Sequence, residues 1–380
     1  MLMKSTFFLA AGVLMLGLCG ISCNQTPTMT PEQKALDSLF TSIFPDGEPG
    51  GAVLVKRGEE IVFDKGYGLE TLPDGKPIDG NSFFNIASCS KTFTAAAVLD
   101  LASKGLVDIE KNVNSYFPEY TDPVWDGIKV RHLLSHTSGI PDLRSRLLSK
   151  EQRINGDEDL SVEYLKDLKE LRFEPGTAYD YLNPSFVLLG KLIERVTGRV
   201  FMDYMRDSVF VPCGMNQTLY FDRNHQDLIP RMTHAYEYAD VEDMPEERTA
   251  SAPTAEKKNW YEYDFGEETF FATRPDGGIY SSAHEMAHWD LSKLSRLMSR
   301  QILVSGSPYS DYQNRPDTWY GYGLFIESHC VYHTGDNGGY KALNAYYPEQ
   351  NVHLVILANR ADWDRYEIKT KAEKILGLRP

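Results

Sequence analysis

The segment from Ser88 to Lys104 has the sequence SCSKTFTAAAVLDLASK and joins a helical pattern to a candidate nucleophile. Its apolar residues recur at helical spacing and Gly105 follows as a stop signal, so we expect an amphipathic helix. Ser88 and Lys91 are three residues apart, which places both side chains on one face at the start of this helix. The N-terminus of a helix also offers N–H groups and a partial positive charge to an oxyanion.

This spacing suits acyl-enzyme chemistry. A serine hydroxyl is a weak nucleophile until a base removes its proton, and a lysine can act as that base if desolvation keeps its amine neutral. The pattern is also compatible with a plain structural interpretation, in which Ser88 caps the helix and Lys91 is solvated. Gly-x-Ser-x-Gly does not occur in the sequence, so the nucleophile elbow of the α/β-hydrolases is excluded.

Outward from this helix, strand-like runs lie towards both ends of the chain. Gly51 to Lys56 and Ile61 to Tyr67, separated by Gly58, predict an antiparallel hairpin. Further strands are predicted near the C-terminus at Tyr320–Glu327, Lys341–Tyr347 and Val352–Asn359. Helices are predicted at Pro31–Phe44, Val130–Ser135, Val162–Leu171, Pro184–Thr197, Val200–Val209, Ser282–Met298 and Asp362–Leu376.

These elements predict an α/β (α+β) fold. An antiparallel sheet is built from both termini and flanked by helices, and it carries a mainly helical inserted lobe at about residues 106–300. The stretch from Phe221 to Pro275 lacks periodicity and is expected to form long surface loops. Within it, Trp260 to Phe265 could line a substrate entrance or pin the loop by burial.

The chain has 380 residues and a formal net charge of −15, from 39 Lys and Arg against 54 Asp and Glu. This charge repels phosphate backbones, so nucleic acid is not expected as a partner. Three cysteines remain beyond the N-terminal segment, Cys89, Cys213 and Cys330. An odd count spread this widely predicts no disulfide framework.

The N-terminus has the features of an export signal over residues 1–22. Lys4 precedes an apolar run from Phe7 to Leu18, whose 12 residues are too few to cross a bilayer core. Cys23 would become a lipidated first residue, with plain secretion as the alternative. Residues 23–30 then form a polar tether and 31–376 the folded domain. We expect a periplasmic or outer-membrane-anchored lipoprotein of a bacterium, attached to the membrane only through Cys23.

Two further motifs carry polar groups suited to the same chemistry. Tyr181-Leu182-Asn183 precedes a predicted helix; a Tyr near a Lys can share proton transfer, and an Asn can hold a substrate amide. Tyr312-Gln313-Asn314 has the same spacing, but its context is less favourable. His333-Thr334-Gly335 lies between strand-like runs, where a strand edge ending in Gly would admit a substrate and His and Thr would meet its polar or anionic group.

Together these motifs resemble the serine β-lactamase-like family of class C β-lactamases, D-alanyl-D-alanine carboxypeptidases, D-aminopeptidases and related esterases. The resemblance covers about residues 31–376 and implies a β-lactamase/transpeptidase-like fold. It includes three further segments, Arg131–Pro141 (RHLLSHTSGIP), Gly277–Ser281 (GGIYS) and Tyr320–Leu324 (YGYGL).

The resemblance also implies roles for the site residues. Ser88 is the acylated nucleophile, Lys91 its base partner, Tyr181 a base or proton shuttle, and Asn183 a substrate ligand. His333, Thr334 and Gly335 form the substrate-binding strand edge, and the N–H groups of Ser88 and Asp336 form the oxyanion hole. Two positions depart from the family: His333 stands where most β-lactamases have Lys, and Asp336 where they have a small residue. Both departures argue against strong β-lactam hydrolysis.

The sequence therefore predicts an exported serine hydrolase that cleaves amide or ester bonds through an acyl-enzyme on Ser88, with no cofactor. D-amino-acid peptides, wall peptides, small esters and weakly hydrolysed β-lactams all suit it as small-molecule or short-peptide substrates. A covalent penicillin-binding receptor, or a catalytically weak binding protein, is the alternative.

A zinc site is the competing interpretation of one segment. His284-Glu285-Met286-Ala287-His288 matches His-Glu-x-x-His, but no third ligand stands out and Ser282-x-x-Glu285 is a capping box. We therefore expect no metal. A second pair, His132 and His136, lies four residues apart near a short predicted helix. It is expected to hydrogen-bond locally and to support the cleft.

Overall fold

A computed structural model of the chain describes residues 29–149, 152, 157–221, 227–228, 230–238, 260–262 and 273–379. The predicted signal segment, Cys23 and residues 24–28 of the tether lie outside the described residues, as does most of the predicted loop region after Phe221. Within the described ranges, every helix is too short or too polar to span a bilayer.

The main sheet is antiparallel and joins the two ends of the chain. Its strands are β1 (Gly51–Arg57), β2 (Glu60–Tyr67), β8 (Ile302–Leu303), β9 (Trp319–Tyr320), β10 (Phe325–Ile326), β11 (Val331–Asn337), β12 (Tyr340–Tyr347) and β13 (Val352–Ala358). In the described residues their order is β2-β1-β13-β12-β11-β10-β9-β8. Strand β1 pairs with β13 from Gly51 opposite Ala358 to Arg57 opposite Val352. The predicted fold class, with its sheet built from both termini, is confirmed.

Two smaller sheets accompany the main one. The first has the order β3-β7-β4 and the second pairs β5 with β6. Their strands are β3 (Phe84–Asn85), β4 (Leu219–Tyr220), β5 (Tyr236–Tyr238), β6 (Trp260–Glu262) and β7 (Ile279–Ser281). Trp260 and Tyr261 of β6 are buried, which supports the pinning interpretation over the substrate entrance; residues 263–265 lie outside the described ranges.

The helices pack on both faces of the main sheet. They are α1 (Pro31–Ile43), α2 (Ser90–Ser103), α3 (Val130–Leu134), α4 (Arg144–Leu147), α5 (Glu158–Glu163), α6 (Asn183–Thr197), α7 (Phe201–Met205), α8 (Arg274–Gly277), α9 (Ala283–Met286) and α10 (Arg365–Ile375). Strand β1 shows how the two faces differ. Ala52 and Leu54 enter the core that contains Phe93 of α2, while alternate residues enter the core that contains Phe40 of α1.

Three predicted elements are shorter than the sequence indicated. Ser282–Met298 is not one helix: α9 ends at Met286 and two single 3₁₀ turns follow, Leu291–Lys293 and Ser295–Met298. Val162–Leu171 is not a helix either, because α5 ends at Glu163 and a 3₁₀ turn covers Tyr164–Asp167. The single strand predicted at Tyr320–Glu327 is a hairpin of β9 and β10.

Candidate active site

Ser88 lies in a 3₁₀ turn, Ala87–Cys89, that leads directly into α2. Ala87 has a φ of +47°, a left-handed value that a residue with a Cβ rarely adopts. The side chain of Asn85 holds this conformation, because its Oδ1 accepts the N–H of Ala87 at 2.7 Å. The N–H of Cys89 bonds to the carbonyl of Ile86. The turn therefore presents Ser88 at the N-terminal end of α2, where the first N–H groups lack partners within the helix.

Lys91 is buried directly beside the Ser88 hydroxyl. Its Nζ lies 3.0 Å from Ser88 Oγ and donates to the carbonyl oxygen of Asp276 at 2.8 Å. Within the described residues, the hydrogen bonds of this amine go to a hydroxyl and a backbone carbonyl, and none goes to a carboxylate. Burial is the main cause that lowers the pKa of Lys91 to about 8, against the charge of Asp276 and with a small contribution from Arg144. The neutral amine is thus accessible near neutral pH.

Tyr181 lies over the same lysine. The Lys91 Nζ is 5.0 Å from the centre of its ring. The Tyr181 hydroxyl is buried and has no hydrogen-bond partner in the described residues. Burial raises the pKa of Tyr181 well above its usual value, and the Ser88 hydroxyl acts weakly in the opposite direction. Tyr181 therefore stays protonated at neutral pH, which suits a proton shuttle better than an independent base.

His136 positions the segment that carries Tyr181 and Asn183. Its Nδ1 accepts the N–H of Leu182 at 3.0 Å, and its ring centre lies 4.3 Å from that of Tyr181. Burial first, and then Lys91 and His333, lower the pKa of His136 well below 6.5, so the ring is neutral and can accept. The backbone of His136 has a φ of +56°.

Asn183 is the first residue of α6. Its Oδ1 is buried and has no hydrogen-bond partner in the part of the chain that the structure describes. An unpaired amide oxygen two residues after Tyr181 is a suitable acceptor for a substrate N–H.

His333, Thr334 and Gly335 lie inside β11, where β10 no longer pairs with one edge of the strand. Strand β10 pairs with β11 only at Val331 and Tyr332, whereas β12 pairs with it as far as Asn337. The Ser88 turn lies close against this part of β11, since a Cβ added to Gly335 would lie 2.2 Å from the carbonyl oxygen of Ile86.

His333 is enclosed rather than exposed to the cleft. Its Nδ1 donates to the carbonyl oxygen of Thr334 at 2.6 Å, so the neutral ring accepts at Nε2 from the Tyr320 hydroxyl at 3.1 Å. Burial first, and then the charge of Lys91, lower the pKa of His333 to about 3. His333 therefore offers no positive charge to a substrate. Thr334 lies with its Oγ1 3.3 Å from the Tyr366 hydroxyl.

Asp336 has a partner that the sequence did not indicate. Arg365, the first residue of α10, donates to Asp336 Oδ2 at 2.6 Å and to the carbonyl oxygen of Gly335 at 2.7 Å. Sequence reasoning also missed the carbonyl of Asp276 as the acceptor of Lys91. Neither carried a signal, because an arginine in the first turn of a helix and a backbone carbonyl are ordinary features of any sequence.

The residues of the zinc-like pattern have other partners. Both ring nitrogens of His284 are engaged, by Asn81 at 2.9 Å and by Asp64 at 2.6 Å. Glu285 accepts the N–H groups of Gln217 and Thr218, and its own N–H bonds to Ser282. Ser282 therefore caps α9, but the predicted capping box is only half formed, because the Glu285 carboxylate bonds to Gln217 and Thr218 and not to the N–H of Ser282. His132 accepts the N–H of Lys129 at 3.1 Å, a local bond of the kind expected.

A second group of potential ligands, Glu327, His329 and Cys330, lies in the turn between β10 and β11. The ammonium of Lys369 already lies 3.1 Å from Glu327. A positive charge is therefore present where a metal ion would bind, and this group does not adjoin the Ser88 turn.

Comparison with known proteins places this chain in a family. Residues 40–378 match the family described as Beta-lactamase. Penicillin-binding protein 4* of Bacillus subtilis (strain 168) is 28% identical over 363 residues, which cover 92% of this chain and 77% of that protein. Protein flp of Staphylococcus aureus (strain NCTC 8325 / PS 47) is 25% identical over 86% of this chain and 63% of its own length.

Solved structures share the fold. A penicillin-binding protein homologue from Pyrococcus abyssi, described as octameric, has a TM-score of 0.73 and 22% identity over 92% of this chain and 77% of its own. D-amino acid amidase from Ochrobactrum anthropi SV3 has a TM-score of 0.70 and 21% identity over 91% of this chain and 97% of its own. With the family match over most of its length, the chain belongs to the β-lactamase family of serine hydrolases.

Proposed function

We propose that this protein is an exported serine hydrolase that forms an acyl-enzyme on Ser88 and releases it to water. One observation carries the proposal: the Nζ of Lys91 is buried, has no carboxylate partner among the described residues, and lies 3.0 Å from Ser88 Oγ. A lysine in this environment can be neutral, and a neutral amine at this distance can take the hydroxyl proton.

The residues of the site support each step of the reaction. Lys91 takes the proton of Ser88, whose Oγ bonds to the substrate carbonyl carbon while the carbonyl oxygen becomes an oxyanion near the N–H groups of Ser88 and Asp336. The bond to the leaving amine or alcohol breaks, and that group takes a proton through Tyr181. Water then attacks the ester, loses a proton to the same groups, and frees Ser88 and the acid.

The substrates we propose are D-amino-acid peptides, wall peptides or small esters, with at most weak β-lactam hydrolysis. Two features support this choice. The enclosed, neutral ring of His333 lies where most β-lactamases of the family have a lysine, and the names of the relatives include a penicillin-binding protein and a D-amino acid amidase.

The test is a mass spectrum of the intact protein after exposure to a panel of D-peptides, p-nitrophenyl acetate and a fluorescent penicillin. We expect an adduct on Ser88, rapid turnover of at least one ester or peptide, and no adduct in Ser88→Ala. Ser103→Ala, at the exposed far end of α2, is the matched control and should behave as the wild type. Activity that survives Ser88→Ala but is abolished by a chelator would contradict the proposal.

The same panel separates the hydrolase from a covalent penicillin-binding receptor. A receptor would keep a stable penicillin adduct on Ser88 and turn over neither esters nor peptides. The hydrolase releases its acyl group, so its adduct decays while product accumulates.

We also propose export to the periplasm or outer membrane with lipid attached at Cys23. The support is the charged and apolar pattern of residues 1–22. Labelled palmitate should enter the full-length protein in a bacterial host and should not enter Cys23→Ser. Labelling equal in both proteins would refute the anchor, while secretion without a label would favour the plain signal.

A further inference from the structure

We propose that Arg365 is a positioning residue of the oxyanion hole, which acts by holding the peptide bond between Gly335 and Asp336. The inference rests on the proposed acylation of Ser88. It assigns a role on helix α10 to a residue that touches neither Ser88 nor Lys91.

The contact is specific and doubly anchored. Nη1 of Arg365 donates to the carbonyl oxygen of Gly335 at 2.7 Å and to Asp336 Oδ2 at 2.6 Å. The arginine side chain is only 16% exposed. Its backbone is fixed by the start of α10, where Asp364 accepts the N–H groups of the next two helical residues. Arg365 is therefore held both at its backbone and at its guanidinium.

The Gly335 oxygen matters because it shares a peptide unit with the Asp336 N–H. In a trans peptide the C=O and the N–H point in opposite directions, so a donor that fixes the oxygen also fixes the direction of the N–H. Helix α10 packs against β12, and Arg365 approaches from that side. Strand β12 pairs with β11 on that side as far as Asn337, whereas β10 pairs with β11 at Val331 and Tyr332, so an N–H of Asp336 opposite to the Gly335 carbonyl is directed to the edge that β10 leaves unpaired. The turn that carries Ser88 contacts the same strand at Gly335.

The positive charge also strengthens the donor. A cation hydrogen-bonded to a carbonyl polarises the peptide, which makes the N–H at its other end a stronger donor. An oxyanion hole stabilises the transition state because its donors are in place before charge develops. Asp336, the acidic departure from the family pattern, anchors the guanidinium, and Arg365 in turn compensates the negative charge that this departure brings.

The test compares Arg365→Gln and Arg365→Lys with the wild type on p-nitrophenyl acetate, a neutral ester. For Arg365→Gln we expect kcat for acylation to fall by about 10- to 100-fold, with little change in KM, because a misdirected donor is lost in the transition state more than in the ground state. Arg365→Lys keeps the positive charge but not the planar guanidinium, so its kcat should lie between those of Arg365→Gln and the wild type. The rate ratio between an ester and its thionoester, which probes oxyanion donors, should also fall.

The matched control is Arg195→Gln. Arg195 likewise joins a backbone carbonyl, that of Tyr116, to a carboxylate, that of Glu119. It lies 12 residues beyond Asn183 on α6, about 18 Å along the helix, and its loss should leave kcat unchanged.

Several outcomes would overturn the inference. Wild-type kcat in Arg365→Gln, with a higher KM only for peptides with a free carboxylate, would make Arg365 a substrate ligand instead. Asp336→Asn leaves the bond from Arg365 to the Gly335 carbonyl in place, so it should lower kcat less than Arg365→Gln does. A larger loss of kcat in Asp336→Asn would refute the mechanism even if Arg365→Gln were unstable. Absence of any Ser88 adduct in the wild type would refute the proposed function instead.

Discussion

Gly335 lies so close to Ile86 that a methyl group on its Cα would sit 2.2 Å from the Ile86 carbonyl oxygen. That oxygen belongs to the backbone just before Ala87 and Ser88. The strand edge and the nucleophile turn are therefore in direct backbone contact, and the distance between Ser88 and the predicted second oxyanion donor on Asp336 depends on a residue without a side chain.

We predict that Gly335→Ala abolishes most acylation without unfolding the protein. Backbone atoms cannot give way as a side chain end can, so β11 and the turn must separate, and a displacement near 1 Å costs about 100-fold in rate. Adduct formation on Ser88 measures the effect. Gly306→Ala is the control, because its new Cβ meets only a leucine methyl at 3.9 Å. Equal rates in the two variants would contradict the close-contact argument.

The pH dependence of acylation should follow Lys91. Its pKa is lowered to about 8, and only the unprotonated amine accepts the serine proton. The acylation rate should therefore rise as the pH increases through about 8 and level off above it. His333, with its pKa near 3, should add no inflection around pH 6.5.

Stopped-flow measurement of the acylation rate from pH 5 to pH 10 gives this profile. Lys91→Met should be inactive throughout. A profile that is flat across pH 8, or that rises instead near pH 6.5, would assign the base to another group.

Much of this site could be predicted because its parts lie in strongly patterned segments. The helical spacing of Ser88 and Lys91 depends on local sequence. The same is true of helix α6, which Gly198 ends. The sheet was equally clear, since β13 is apolar at every position except His353 and β1 alternates between two cores.

The elements that differed from prediction are set by tertiary contacts. Trp289, after α9, stacks on Phe93 at 3.9 Å and bonds to Thr92, which draws the chain out of the helix that periodicity predicted. Gly323 has a φ of +72° and leaves no room for a Cβ beside the Lys91 carbonyl, so the chain turns between β9 and β10. The predicted helix after Val162 ends early, because Leu168 takes an extended conformation and is buried in the core that contains Phe93. Such contacts have no local signal.

His136 should influence catalysis through Tyr181. His136→Ala leaves the N–H of Leu182 without its acceptor, at a cost of about 1–3 kcal/mol in unfolding free energy, and frees the Tyr181 ring to move. We expect a lower acylation rate. His136→Asn should recover part of both losses, because asparagine carries an acceptor oxygen and tolerates the positive φ of this position. Urea unfolding and adduct formation are the measurements; an asparagine variant no better than alanine would contradict this role.

The last prediction concerns a buried charge cluster that joins α10 to the sheet. Glu373 is fully buried and contacts Lys369 at 2.7 Å and His329 at 3.1 Å, with Arg379 beside it. The pKa of Glu373 is lowered although burial opposes this, chiefly because of Lys369. A carboxyl with a depressed pKa in the folded state stabilises the protein above its unfolded pKa, and this stability is lost as the pH falls through the folded value.

Removal of the lysine should therefore be costly. Lys369→Met leaves Glu373 short of positive charge inside the protein, and breaking a buried pair typically costs about 3–5 kcal/mol. Lys371→Met, which loses only an exposed pair with Glu367 on the same helix, is the matched control and should change stability little. Urea unfolding at pH 7 measures both, and repetition at decreasing pH should narrow the gap between Lys369→Met and the wild type as Glu373 becomes protonated. A gap that widens towards low pH would show that the cluster does not stabilise the fold through this carboxylate.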